Sequence, residues 1–247
     1  MRRLLLVALC CMIAPIALGW ASITRTEILM AGSYIDDIVY IDQYPHLLLA
    51  YANFLYGDIK QELSGYGFIV SPEREYGAIG CWQNVQVGQG FNIAYAIKLM
   101  NFDIGISGSP VTDHYRIGIG IGRAFFSRRI DVSFLATDAI DEESIDLDAR
   151  IAGRRGDFIL MPKYTLTVMQ EPSEYNRHRL VIMLQRLILN DGFVYFIAEY
   201  DFTRGDIAND LTHVHAGLDL PLNRTFGVLF GVKETFIDGF ETPEWQV

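Results

Sequence analysis

The sequence is poor in cysteine. Among 247 residues there are three, Cys10, Cys11 and Cys81, and the first two fall in an N-terminal leader. An intrachain disulfide in the remainder is therefore excluded, and Cys81 reads as a small buried hydrophobe. Basic charge is short too: 20 Lys and Arg face 30 Asp and Glu, a formal net charge of −10. That balance offers no footprint for nucleic acid, which is not expected as a partner. Beyond residue 21, Gly, Asp, Glu or Arg breaks every apolar run well short of the roughly 18 residues that a membrane helix requires. Spanning by helices is excluded. Motifs that carry chemistry are missing as well, with no G-x-S-x-G elbow, HExxH, phosphate-binding loop or zinc-ribbon spacing. Gly118-Ile119-Gly120-Ile121-Gly122 is not a dinucleotide fingerprint, since it lies inside a strand pattern and opens no helix. The expectation is a protein that is not an enzyme and needs no cofactor.

What is present begins with the leader. Arg2 and Arg3 form a basic start, Leu4 to Leu18 an apolar stretch of secretory length interrupted by Pro15, and Gly19-Trp20-Ala21 a cleavage signal. Residues 1–21 read as a signal peptide cut after Ala21. The bulky Leu9 before Cys10 argues against lipidation. The leader holds two basic residues and no acidic one, so the exported remainder is more acidic still.

From residue 60 onward the pattern has a period of two. Tyr115, Ile117, Ile119 and Ile121 alternate with Arg116 and three glycines, which gives a strand with one apolar and one small or polar face. The same alternation recurs at Phe91–Leu99, Ile130–Phe134, Ile145–Ile151, Val194–Phe202 and Val214–Leu220, whereas Leu180 to Leu189 is apolar on both faces. Helical periodicity is credible only within His46 to Leu55. Tight links at Asn101, Ser127-Arg128, Arg154-Arg155, Asn190-Asp191-Gly192 and Leu222-Asn223 alternate with longer polar links at Ser109–Asp113, Asp138–Ser144, Gln170–Asn176 and Arg204–Asp210. Such a rhythm belongs to a meander with unlike ends, and candidate strands of about 9 to 13 residues suit a tilted membrane crossing. The fold class expected is all-β, an antiparallel up-and-down transmembrane β-barrel of about 12 strands, within roughly 10 to 14. Three segments follow: the signal peptide 1–21, an N-terminal segment 22–60 that is an inner plug or a first strand, and the barrel 61–247.

These features together resemble a bacterial outer-membrane β-barrel. The segment Arg25-Thr26-Glu27-Ile28-Leu29-Met30-Ala31-Gly32, with Asp36-Asp37 and Tyr44-Pro45, is similar to the opening of barrels of the long-chain fatty-acid transporter class. Tyr44-Pro45 stands where that class has Asn-Pro-Ala. The resemblance implies architecture and location in the outer membrane of a Gram-negative-type cell, with outer-membrane lipid and the outer-membrane assembly machinery as partners. It does not imply fatty-acid transport. One pattern runs against the barrel rule. If both termini lie in the periplasm, a tight last link at Leu222-Asn223 has the wrong parity. Either Phe240 to Val247 adds a strand despite Pro243, or the short turns face outward, or the barrel does not span a membrane.

Turning the polar faces inward places Asp103, Arg116, Asp131, Asp146, Asp148, Arg150, Lys163, Glu199, Asp201, His213, His215 and Asp219 in the lumen. A network of ion pairs and hydrogen bonds is the first expectation for them. As a solute path, their excess of carboxylates favours cations. His213 and His215 share a strand face and, with Asp219 or Glu199, have the residue types of a metal site, but two histidines on one strand do not specify one, and no metal is expected. Ser133 and His215 share the inner face without further catalytic signature. The acidic loop Asp138–Glu143 reads as solvated, or as a place for divalent cations. The functional expectation is a structural envelope component or a narrow passive channel for a small solute. The alternatives are a soluble periplasmic barrel with an apolar ligand and an outer-membrane lipid-modifying enzyme.

Overall fold

The computed structural model describes residues 41–51, 53–59, 64–84, 89–110, 115–139, 142–171, 173–188, 192–206, 209–222, 227–237 and 242–246. The signal-peptide segment and most of the transporter-like opening lie outside these residues. After a 3-10 turn at Pro45–Tyr51, the chain forms β1 (Phe54–Ile59), β2 (Ser64–Val70), β3 (Ala78–Asn84), β4 (Gln89–Leu99), β5 (Phe102–Pro110), β6 (Tyr115–Phe125) and β7 (Arg128–Ala139). It continues as β8 (Glu142–Arg155), β9 (Phe158–Glu171), β10 (Tyr175–Leu187), β11 (Phe193–Gly205), β12 (Asn209–Pro221), β13 (Gly227–Ile237) and β14 (Thr242–Gln246). These make one antiparallel sheet of 14 strands in strict chain order.

Fourteen strands rather than about 12 result from the two ends of the chain. The helical periodicity expected over His46–Leu55 gives way to the 3-10 turn at Tyr51, and Leu55 already belongs to β1. The sheet thus begins inside the segment 22–60. At the other end Thr242–Gln246 pairs with Lys233–Ile237 in spite of Pro243, which sits opposite Phe236. This extra strand resolves the parity conflict: β1 starts and β14 finishes at the end of the sheet that carries the tight turns. A terminal strand tolerates proline because one of its edges needs no backbone donor.

The alternation of side chains follows the pleat. On β6 the exposed Ile117, Ile119 and Ile121 interleave with the buried Gly118, Gly120 and Gly122, and on β11 the exposed Val194, Phe196 and Tyr200 interleave with the buried Tyr195, Ile197, Glu199 and Asp201. Apolar residues thus cover the outward face, while polar and small residues share the inner face with an apolar layer around Tyr195 and Ile197, so the greasy surface lies outside as in a membrane barrel. The tight turns sit at Met100-Asn101, Phe126-Ser127 and Gly156-Asp157. Met100 (φ 56°), Phe126 (φ 51°) and Gly156 (φ 61°) take the left-handed conformation there. The last turn lies beyond the expected Arg154-Arg155, which remain in β8. Several long links prove short, because β7 and β8 extend until only residues 140–141 separate them.

Candidate functional site

The interior is occupied first by the chain itself. Ile41 to Leu48 lies against the inner face of the sheet with Ile41, Tyr44, His46 and Leu48 fully buried. Its bed is made by glycine. A Cβ on Gly105 would overlap the backbone of Pro45 and His46, one on Gly118 the Asp42 carbonyl, and one on Gly120 the His46 ring. The Gly-Ile-Gly-Ile-Gly run of β6 thus removes side-chain volume from one face so that another segment can lie there. Leu47 N–H donates to the Tyr44 carbonyl at 2.9 Å, closing the turn over Pro45.

Charges then fix this turn to the wall. His46 Nε2 lies 2.8 Å from Asp131 Oδ1, with both side chains inaccessible to water. Asp131 also accepts from Arg129 Nε at 2.7 Å and from Arg150 Nε at 3.1 Å. Next along the turn, Gln43 donates to Asp148, which also holds Lys163 Nζ at 3.2 Å and accepts from Thr165. The Tyr44 ring lies 4.4 Å below the Arg150 guanidinium and 5.3 Å from Lys163 Nζ. Asp42 pairs with Arg116, and its carbonyl accepts from Ser107 Oγ at 3.0 Å. The two enclosed cations, Arg150 and Lys163, are each paired with a buried carboxylate, as buried charge requires.

A second cluster lines β10 to β13. Asp201 accepts from Arg177 and, at 3.0 Å, from Arg179 Nε, which also lies 2.9 Å from Glu199 Oε1. His215 Nε2 stands 3.4 Å from Glu199 and His213 Nε2 3.8 Å from Asp201, while His213 Nδ1 meets Thr235 Oγ1 at 2.8 Å. Toward the tight-turn end, this cluster rests on a packed apolar layer of Met161, Val181, Met183, Phe193, Tyr195 and Ile197.

All twelve residues expected in the lumen stand on the inward parity of their strands, in two assemblies. Asp103, Arg116, Asp131, Asp148, Arg150 and Lys163 belong with the turn, where Arg129 bridges Asp103 at 2.9 Å. Glu199, Asp201, His213 and His215 form the second cluster. Asp146 accepts from Thr167, and Asp219 is buried beside the second cluster's strands, opposite Phe193 and Leu229. The sequence reading missed His46, Gln43, Arg129, Arg177 and Arg179. The signal for His46 was the all-glycine face of β6, which demands an occupant. For the arginines of β10, it was the alternation Arg177, Arg179 ahead of the doubly apolar stretch.

Metal binding is not supported by the donors present. Among the described residues, Glu199, Asp201 and His213 offer ligand atoms within 4.8 Å of one another. Arg177 and Arg179 already engage those carboxylates, and a dication would have to displace them. The two strand-mates His213 and His215 turn to different carboxylates, with ring centroids 6.1 Å apart. Ser133 sits on β7 and His215 on β12, five strands apart.

No family model matches the chain, and no curated protein matches it. Among solved structures it is similar to a loop L8 deletion mutant of OmpT, an outer membrane protein of Vibrio cholerae. The two share 9% identity and a TM-score of 0.53, over 74% of this chain and 89% of the other. This likeness shows no similarity to the long-chain fatty-acid transporter class. At that identity the likeness concerns the fold alone, and the fold is that of an outer-membrane β-barrel.

Proposed function

We infer that this protein resides in the outer membrane as a β-barrel with a largely filled lumen, acting as an envelope component that admits at most small solutes. The observation that carries this reading is the outward face. Ile117, Ile119, Ile121, Leu180, Ile182, Leu184, Val194 and Phe196 are all exposed on the outward face of one sheet, and in water such a surface drives aggregation. Hydrocarbon removes that cost at about 25 cal/mol per Å² of apolar surface covered.

The rims support it. At the tight-turn end Arg123 lies 4.8 Å over Phe102 and 4.2 Å over Phe125, and Arg186 lies 5.5 Å over Phe158. At the other end His178 stacks on Phe202 at 4.6 Å and meets the Tyr164 hydroxyl at 2.8 Å. Aromatic rings with polar partners at two levels are what an interfacial girdle requires. Against the soluble-barrel alternative, the inner face of the described residues holds charges, the turn and a closely packed apolar layer.

The test is the mobility of membrane-fractionated protein in detergent gels, boiled against unboiled. A shift confined to the outer-membrane fraction is expected. Soluble protein with no shift sinks the reading.

A further inference from the structure

The composition of the lumen, with its surplus of carboxylates, points to cations; the side chains that meet water point the other way. In the pair of Arg177 with Asp201 the exposures are 36% and 2%, and in that of Arg179 with Glu199 they are 26% and 5%. Arg116 with Asp42 gives 30% and 12%, and Arg129 gives 29% against 17% for Asp103 and none for Asp131. In each pair the carboxylate is the less exposed member and the guanidinium the one more in contact with solvent. The exceptions, Arg150 and Lys163, lie against the Tyr44 ring with both partners buried, and contribute nothing at the water surface. The short side chains of Asp and Glu keep their charge at the wall, while the longer arginines carry theirs inward.

The cations also form a series along the lumen. Arg116 and Arg177 stand near the long-link ends of β6 and β10, Arg179 lies one pleat deeper, the half-buried Lys233 comes at mid-strand of β13, and Arg129 lies beside the tight turn of β7. Asp219 is buried, and Asp146 is partly buried with its oxygen taken by Thr167. We propose that the lumen is an anion-preferring path, in which Arg116, Arg177, Arg179 and Lys233 contact a small inorganic or carboxylate anion and the buried carboxylates only hold the arginines in place. The inference rests on the reading of the protein as a membrane barrel with a narrow passage. Recognition by a guanidinium fork suits carboxylate or phosphate oxygens as well as chloride.

The experiment is the reversal potential of the full protein in planar bilayers under an about tenfold KCl gradient, with Arg177→Gln/Arg179→Gln beside it. The expected result is a reversal potential of the sign set by chloride, falling toward the free-solution value in the double variant. Arg204→Gln, on the outer rim where Arg204 pairs with Asp210, leaves it unchanged. If the double variant loses its heat-dependent gel shift, Lys233→Gln carries the same comparison. A potassium-signed potential overturns the proposal, as does a chloride preference indifferent to these variants. So does the absence of conductance from protein that keeps its gel shift. Loss of the shift and of membrane fractionation in the unaltered protein is a different failure, that of the barrel itself.

Discussion

The two sides of the lumen are filled in opposite ways. Across β3 to β7 the wall is stripped to Gly80, Gly105, Gly118, Gly120 and Gly122, and a separate piece of chain, Ile41 to Leu48, supplies the volume. Across β10 to β13 the wall fills its own space with Arg177, Arg179, Met183, Tyr195 and Ile197. The difference decides where charge meets water. The inserted segment seals part of its ion pairs, as at His46, Asp131 and Arg150, while its Asp42–Arg116 pair and the pairs of the self-filled wall leave the guanidinium groups wetted.

Removing a carboxylate from each side is the strongest way to test that contrast. Asp131→Ala leaves Arg150 and His46 without their buried partner and is expected to destabilise by about 3–5 kcal/mol, read as a shift in urea unfolding in lipid vesicles. Asp201→Asn, whose arginine partners reach water, is expected to cost about 1–3 kcal/mol in the same assay. Equal losses would mean that the two sides are equally sealed. The bed of the turn is tested on one strand. Gly105→Ala drives a methyl group into the Pro45–His46 backbone and is expected to cost about 1–3 kcal/mol and to expose the turn to protease. At Gly108 the nearest atom to a new Cβ is 3.9 Å away, so Gly108→Ala is expected to leave both readouts unchanged. Ile119→Ala on the outward face is expected to cost about 1–2 kcal/mol, the lost transfer of the side chain alone, because lipid refills the space that a protein core would leave empty.

Much of this was legible in the sequence for a simple reason: a period of two is written directly into residues such as those of β6, β11 and β12. The inward parity of the twelve polar residues follows from it. Less legible were the places where tertiary context overrides local signals. Met100 and Phe126 themselves adopt positive φ at two-residue turns, a conformation that Gly or Asn normally marks in a sequence. The C-terminal strand was obscured by Pro243, which an edge position tolerates. The occupant of the glycine bed was beyond reach, because alternation reports which face a residue takes and not what lies against it. Nor does composition report which member of an ion pair meets water, so the carboxylate surplus misrepresents the lumen.

The Pro45–Tyr51 turn also has a consequence for the order in which the protein assembles. Each strand meets its neighbour through a hairpin, and hairpins close locally and fast. The contacts that seat the turn are of another kind: His46 to Asp131 spans 85 residues and Gln43 to Asp148 spans 105. Closing loops of that length carries most of the entropy of the search. The turn must also be inside before the sheet has curled fully around it. The N-terminal segment, made first, therefore acts as the core on which β4 to β9 wrap, and its docking is the step expected to limit the rate at which the barrel forms.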